Sequence, residues 1–188
     1  MSAAASPITF FPGLDSLRSA DLRGQVTDTW EAAWELSGLG ERIHDIPFSS
    51  PAPDEPLLRH VNRVVETALA LEAAGAAAGF PPVDHDVLVG ACLLHDVDKV
   101  CLLQPTEGSG WEPTRWARRY QHGHLGAMLC REHGVPEEFV HLVATHTTQS
   151  YLVPEPFEGV VLHYADLFAA DAALFVAGAT LLMAPHPR

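Results

Sequence analysis

Apolar residues recur along the chain at helical spacing, and strand-like alternation is hard to find. Val26, Trp30, Ala33 and Trp34 share one face of a segment from about Ala20 to Ser37, which Gly38 and Gly40 stop. A second helix is expected from near Asp54, a good N-cap, with Pro56 in its first turn. Its apolar stripe is Leu57, Val61, Val64, Val65, Ala68 and Leu71, and it ends around Gly75 to Gly79. A third runs from about Asp84 to Val97 through VLVGACLL. Others follow near 120–133, 136–148 and 157–180, broken by Gly134 with Pro136 and by Pro154 with Pro156. Residues 45–56 hold four prolines and read as a linker; residues 103–115 lack periodicity and read as a loop. The expected fold class is all-α.

Composition narrows the function. A chain of 188 residues fits one domain with a real core, and 47% hydrophobic with 19% charged residues is ordinary for a soluble protein. Asp and Glu number 24 against 11 Lys and Arg, a formal charge of -13. Such a surface repels phosphate backbones, which argues against nucleic acid or an anionic membrane as partner. No stretch is expected to reach the roughly 20 apolar residues of a membrane span, and Leu167 to Met183 reads as a buried helix. Cys92, Cys101 and Cys130 show no CxxC spacing and no disulfide framework, so a reducing cytoplasm is expected.

The chemistry lies in the histidines. His95 and Asp96 end an apolar helix, and burying both without a partner would be costly. A metal ion can take an imidazole nitrogen and a carboxylate oxygen together. His60, His122, His146 and Asp166 each sit at or near an apolar face of a different helical segment, and a bundle can converge such side chains on one interior site. Two other His-Asp pairs, His44-Asp45 and His85-Asp86, lie in a linker and at a helix start and read as structural. His133, His141 and His186 carry no expected role. Trp30 and Trp34 read as core.

The ordered set His60, His95-Asp96, His122, His146 and Asp166 resembles the HD-domain superfamily over roughly residues 56–175. LLHDVDK is similar to the family's LLHDxGK, with Asp98 where glycine is common; HGHLGAML resembles HxxxGAxLL, and YADLFAAD resembles ADxLxA. The resemblance implies a helical bundle over residues 51–188, preceded by a helical extension at residues 1–50. It implies that His60, His95, Asp96 and Asp166 hold one divalent metal ion. His122 and His146 then supply a second, with Asp96 bridging; His124 competes with His122. Iron is the first expectation, with manganese, cobalt, nickel or magnesium as alternatives.

Lys99 is the only lysine in the chain and lies one helical turn after His95. In the family this lysine commonly contacts an anionic substrate group, so Asp96 and Lys99 are the expected catalytic residues. His124, Arg115, Arg118 and His163 are weaker substrate-binding candidates. The leading expectation is hydrolysis of a small phosphorylated metabolite. The runner-up is a mixed-valent di-iron oxygenase with the same ligands, and the third is a non-catalytic binding module. Cleavage of cyclic dinucleotides is not expected, because His146 sits in THTTQSYLVP and no GYP segment follows. The extension either caps the site or forms a homodimer interface through Trp30 and Trp34.

Overall fold

The computed structural model describes residues 6–108 and 110–183; His186 lies outside them. The elements are α1 (Ala20–Ser37), α2 (Leu57–Ala78), α3 (His85–Leu94), α4 (Lys99–Leu102), β1 (Leu103–Pro105), β2 (Trp111–Pro113), α5 (His124–Glu132), α6 (Glu137–Thr145) and α7 (Phe157–Val176). The fold is all-α, a helical bundle with one small hairpin. Helix α3 is its axis. It is apolar all round, is buried from Val87 to Leu94, and is packed by α1, α2, α6 and α7. That is the pattern of a helix enclosed on every side.

Local chemistry sets the boundaries. The Ser19 hydroxyl caps α1 by accepting from Leu22 N, and Gly38 ends the helix in the left-handed region at φ 66°. Asp84 caps α3 through Asp86 N and Val87 N. Asp54, by contrast, does not cap α2: residues 47 and 56 form an isolated bridge, Leu57 N donates to Ile46 O, and the helix starts after Pro56. The segment 103–115 is not a plain loop, because β1 and β2 pair antiparallel, with Leu103 opposite Pro113. Helix α7 ends at Val176, short of the expected residue 180. The chain then turns back, and the Asp171 carboxylate accepts from Leu182 N and Met183 N.

Helix α7 also corrects the expectation about membrane spans: at 20 residues it is long and apolar enough to cross one. Half of that apolar window is buried within the protein, and the helix carries Asp166 and Asp171, as a core helix would.

The N-terminal residues share the one core. Phe11, Leu14, Val26, Trp30, Ile43 and Phe48 belong to the same apolar cluster as α2, α3 and α7. The Trp30 ring is fully buried, and its Nε1–H donates to Leu93 O at 2.8 Å. Trp34 donates to Gly40 O and packs against the core. The Trp30 ring is enclosed in the core, while Trp34 is half-buried. The other His-Asp pairs lie outside the two groups of ligand atoms among the described residues. Asp86 accepts from Arg18 N and Ser19 N, and Asp45 pairs with Arg42 at 3.6 Å.

Because Trp30 fixes α3 two residues before His95, Trp30→Phe should destabilise the fold by about 1–3 kcal/mol, the cost of an unpaired buried carbonyl. Urea unfolding checks this; a loss below about 0.5 kcal/mol would show that Leu93 O finds another donor.

Candidate metal centre

The HD dipeptide sits where α3 gives way to a tight turn. Val97 N bonds back to Leu94 O, Lys99 N to Asp96 O and Cys101 N to Asp98 O. The turn opens at the centre of the bundle, so His95 and Asp96 are almost fully buried. His60 is the fourth residue of α2, Asp166 comes from the middle of α7, and His146 from the end of α6. His122 lies just ahead of α5. These six converge in two groups. The ligand atoms of His60, His95 and Asp166 lie within 4.8 Å of one another, as do those of Asp96, His122 and His146.

Asp96 joins the groups. Its Oδ2 is 3.5 Å from His60 Nε2 and 3.4 Å from His95 Nε2. Its Oδ1 is 3.0 Å from His122 Nε2 and 3.8 Å from His146 Nε2. Lys99 Nζ reaches Oδ2 at 2.8 Å. His60 Nε2 is also 3.1 Å from Asp166 Oδ1 and stacks on Phe48, with ring centroids 4.5 Å apart.

The imidazole tautomers follow from their outer partners. A carbonyl only accepts, so the bonds to Cys92 O at 2.7 Å and to Val143 O at 2.8 Å place a proton on Nδ1 of His95 and of His146. Both rings therefore turn Nε2 to the centre, as second-sphere partners of metal-bound histidines do. His95 Nε2 and both Asp96 oxygens are nevertheless buried with no hydrogen-bond partner in good geometry. Buried nitrogen and carboxylate oxygen atoms left together without hydrogen-bond partners fit the donor set of a divalent cation, once His95 has lost its extra proton.

The electrostatics agree. Burial alone would lower the His95 pKa, but the Asp96 and Asp166 carboxylates outweigh it and push it up to about 10. Burial is likewise outweighed at His122, where Asp98 and Asp96 raise the pKa to about 9. Burial and the charges of His122 and His95 push His146 down to about 3. Burial opposes ionisation of Asp96, yet Lys99 and His95 hold it well below the usual carboxylate range.

Above the cluster is a cavity of about 360 Å³. Its walls include Lys99, His122, His146, Asp166 and His163, whose Nδ1 donates to His146 O at 3.0 Å. Three expected substrate contacts are not there. His124 opens α5 on the exposed side, because Gly123 at φ 90° turns the chain between it and His122. Arg115 lies over the Trp116 ring at 4.9 Å, and Arg118 lines outer clefts. Thr114 bonds to Leu102 O and Cys101 O and directs the chain away from the cavity. Phe48, Ser49, Thr147 and Leu182 in the walls, and Asp98 beneath His122, were not among the expected site residues. Only Asp98 had left a signal, as a carboxylate where the family's motif commonly has glycine. A larger groove of about 640 Å³ between α2 and α7 is apolar and carries no ligand cluster.

Residues 57–171, more than half of the chain, match the HD domain family, and the protein belongs to it. Neither a curated protein nor a solved structure matches the chain. Membership implies binding of divalent metal, and the two His/Asp groups are where the donors for it lie.

Loading the cluster must displace the extra protons on His95 and His122, since metal ligation requires neutral imidazole. Calorimetry in buffers of different ionisation enthalpy should detect release of about two protons per chain at pH 7. Apparent affinity should therefore rise between pH 6 and 8, by about tenfold per pH unit for each proton displaced. Affinity flat across that range would contradict the charge states described.

Proposed function

We propose that the protein is a metal-dependent hydrolase of a small phosphorylated metabolite. In this reading His60, His95 and Asp166 hold one divalent ion, His122 and His146 hold a second, and Asp96 is shared. The observation that carries it is the division of the two Asp96 oxygens between the two ligand groups, at the floor of a cavity that also holds the chain's only lysine. Ions bound there would supply Lewis acidity to phosphoryl oxygens and lower the pKa of water.

The chain's own groups do the rest. Lys99, held over the Phe48 ring at 5.3 Å and against Asp96, stabilises negative charge developing on the phosphoryl group. Ser49, Thr147 and Gln149 offer hydrogen bonds to the organic part of the substrate, while Leu102, Leu167 and Leu182 exclude water from the other wall. A cavity of about 360 Å³ suits a metabolite, and a chain with formal charge -13 repels long polyanions. Three free, buried cysteines support a reducing, cytoplasmic setting.

Four imidazoles around two carboxylates favour one second reading, a di-iron oxygenase acting on a small polar substrate. An anaerobic panel of phosphomonoesters with each divalent metal separates the two. The hydrolase releases phosphate without O₂, and Lys99→Met lowers kcat/KM about 100-fold with metal content unchanged. No release with any metal, together with substrate-dependent O₂ uptake, would replace the hydrolase by the oxygenase. Ligand affinity that survives His95→Ala and Asp96→Ala, with no turnover, would leave a binding module.

A further inference from the structure

Asp98 belongs to none of the ligand groups, yet it is fully buried two residues after Asp96. Its neighbours account for both of its oxygens. Oδ1 lies 2.9 Å from His122 Nδ1. Oδ2 accepts from Gly123 N at 2.7 Å and lies 3.4 Å from Gly126 N. One carboxylate thus grips both the ring of His122 and the backbone that follows it.

That grip has a geometric consequence. An ionised carboxylate only accepts, so the His122 proton is held on Nδ1. The ring then turns Nε2 to Asp96 Oδ1 at 3.0 Å and to within 3.3 Å of His146 Nε2. His95 and His146 obtain the same orientation from carbonyls of their own helices, three residues back. His122 precedes α5 and has no such carbonyl, so its orientation has to come from elsewhere. The segment is also tightly seated: a Cβ at Gly123 would meet Val143 O at 2.7 Å, and one at Gly126 would meet Val143 Cγ1 at 3.1 Å. The chain can pass only with glycine at the close approach, and Asp98 anchors it there.

We propose that Asp98 is a positioning residue that builds the second metal position, by fixing His122 in the tautomer and place that complete the Asp96–His122–His146 group. The inference rests on the two-ion reading of the cluster. It assigns to the HD turn two carboxylates with separate duties: Asp96 joins the ligand groups, and Asp98 orients the histidine of one of them. Glycine at position 98 would leave Nδ1 of His122 without an acceptor from this turn.

The test is a Zn²⁺ titration of the full chain, with bound metal counted, for the wild type, Asp98→Ala and Asp98→Asn. The wild type should bind two ions. Asp98→Ala should weaken the second by about 10- to 100-fold and leave the first within about twofold. Asp98→Asn, which keeps one carbonyl acceptor, should fall between. Should the variants fail to fold, histidine-labelled nitrogen NMR of the Zn²⁺-loaded wild type reads the same claim, with the His122 proton expected on Nδ1. Equal weakening of both ions, no change in either, or a proton on Nε2 would overturn the role of Asp98. A wild type that binds fewer than two ions would instead remove the two-ion reading, and this inference with it.

Discussion

The carboxylate of Asp96 is buried at the centre of the bundle, and an uncompensated charge there would cost several kcal/mol. Everything around it acts to make that charge tolerable. Lys99 lies at 2.8 Å, and four imidazole nitrogens lie within 3.8 Å of its two oxygens. Even so, neither oxygen has a well-directed hydrogen bond. A divalent cation between the histidines would complete this, adding positive charge to that of Lys99 and directional bonds to the two oxygens. The fold can be understood as the means of bringing those donors to one carboxylate.

Each helix contributes to that convergence through ordinary packing. Helix α3 is enclosed on all sides, so its C-terminal turn has to open inside the protein. Helix α1 fixes that turn through the Trp30–Leu93 bond. Helices α2 and α7 pack against each other and present His60 and Asp166 to the same point, 3.1 Å apart. Helices α5 and α6 form a second pair and bring His122 and His146 to the other side of Asp96. The N-terminal residues are integral to this arrangement, since Phe48 stacks on His60 and lines the cavity.

Much of this was legible in the sequence because periodicity and helix punctuation are local. Helix α1 runs from Ala20 to Ser37 as its apolar face and its following glycines imply. The order of His60, His95-Asp96, His122, His146 and Asp166 was legible through the family resemblance, and the structure brings these residues together. What was not legible depends on long-range placement. The choice between His122 and His124 turns on the backbone at Gly123, which has a positive φ and where a Cβ would meet Val143 O. Arg115 and Arg118 looked suited to an anion, but the β1–β2 hairpin carries them outward. Leu182 reaches the cavity only because Asp171 holds the returning chain. Asp98 showed itself as an unusual charge in the HD motif, and only its distance to His122 assigns it a partner.

The most direct measurement of the central claim is anomalous X-ray scattering from crystals of the metal-loaded protein. A shared Asp96 predicts two peaks per chain, one bonded to His60, His95 and Asp166 and the other to His122 and His146, each with an oxygen of Asp96. A single peak, or two peaks of which one lacks Asp96, would contradict it.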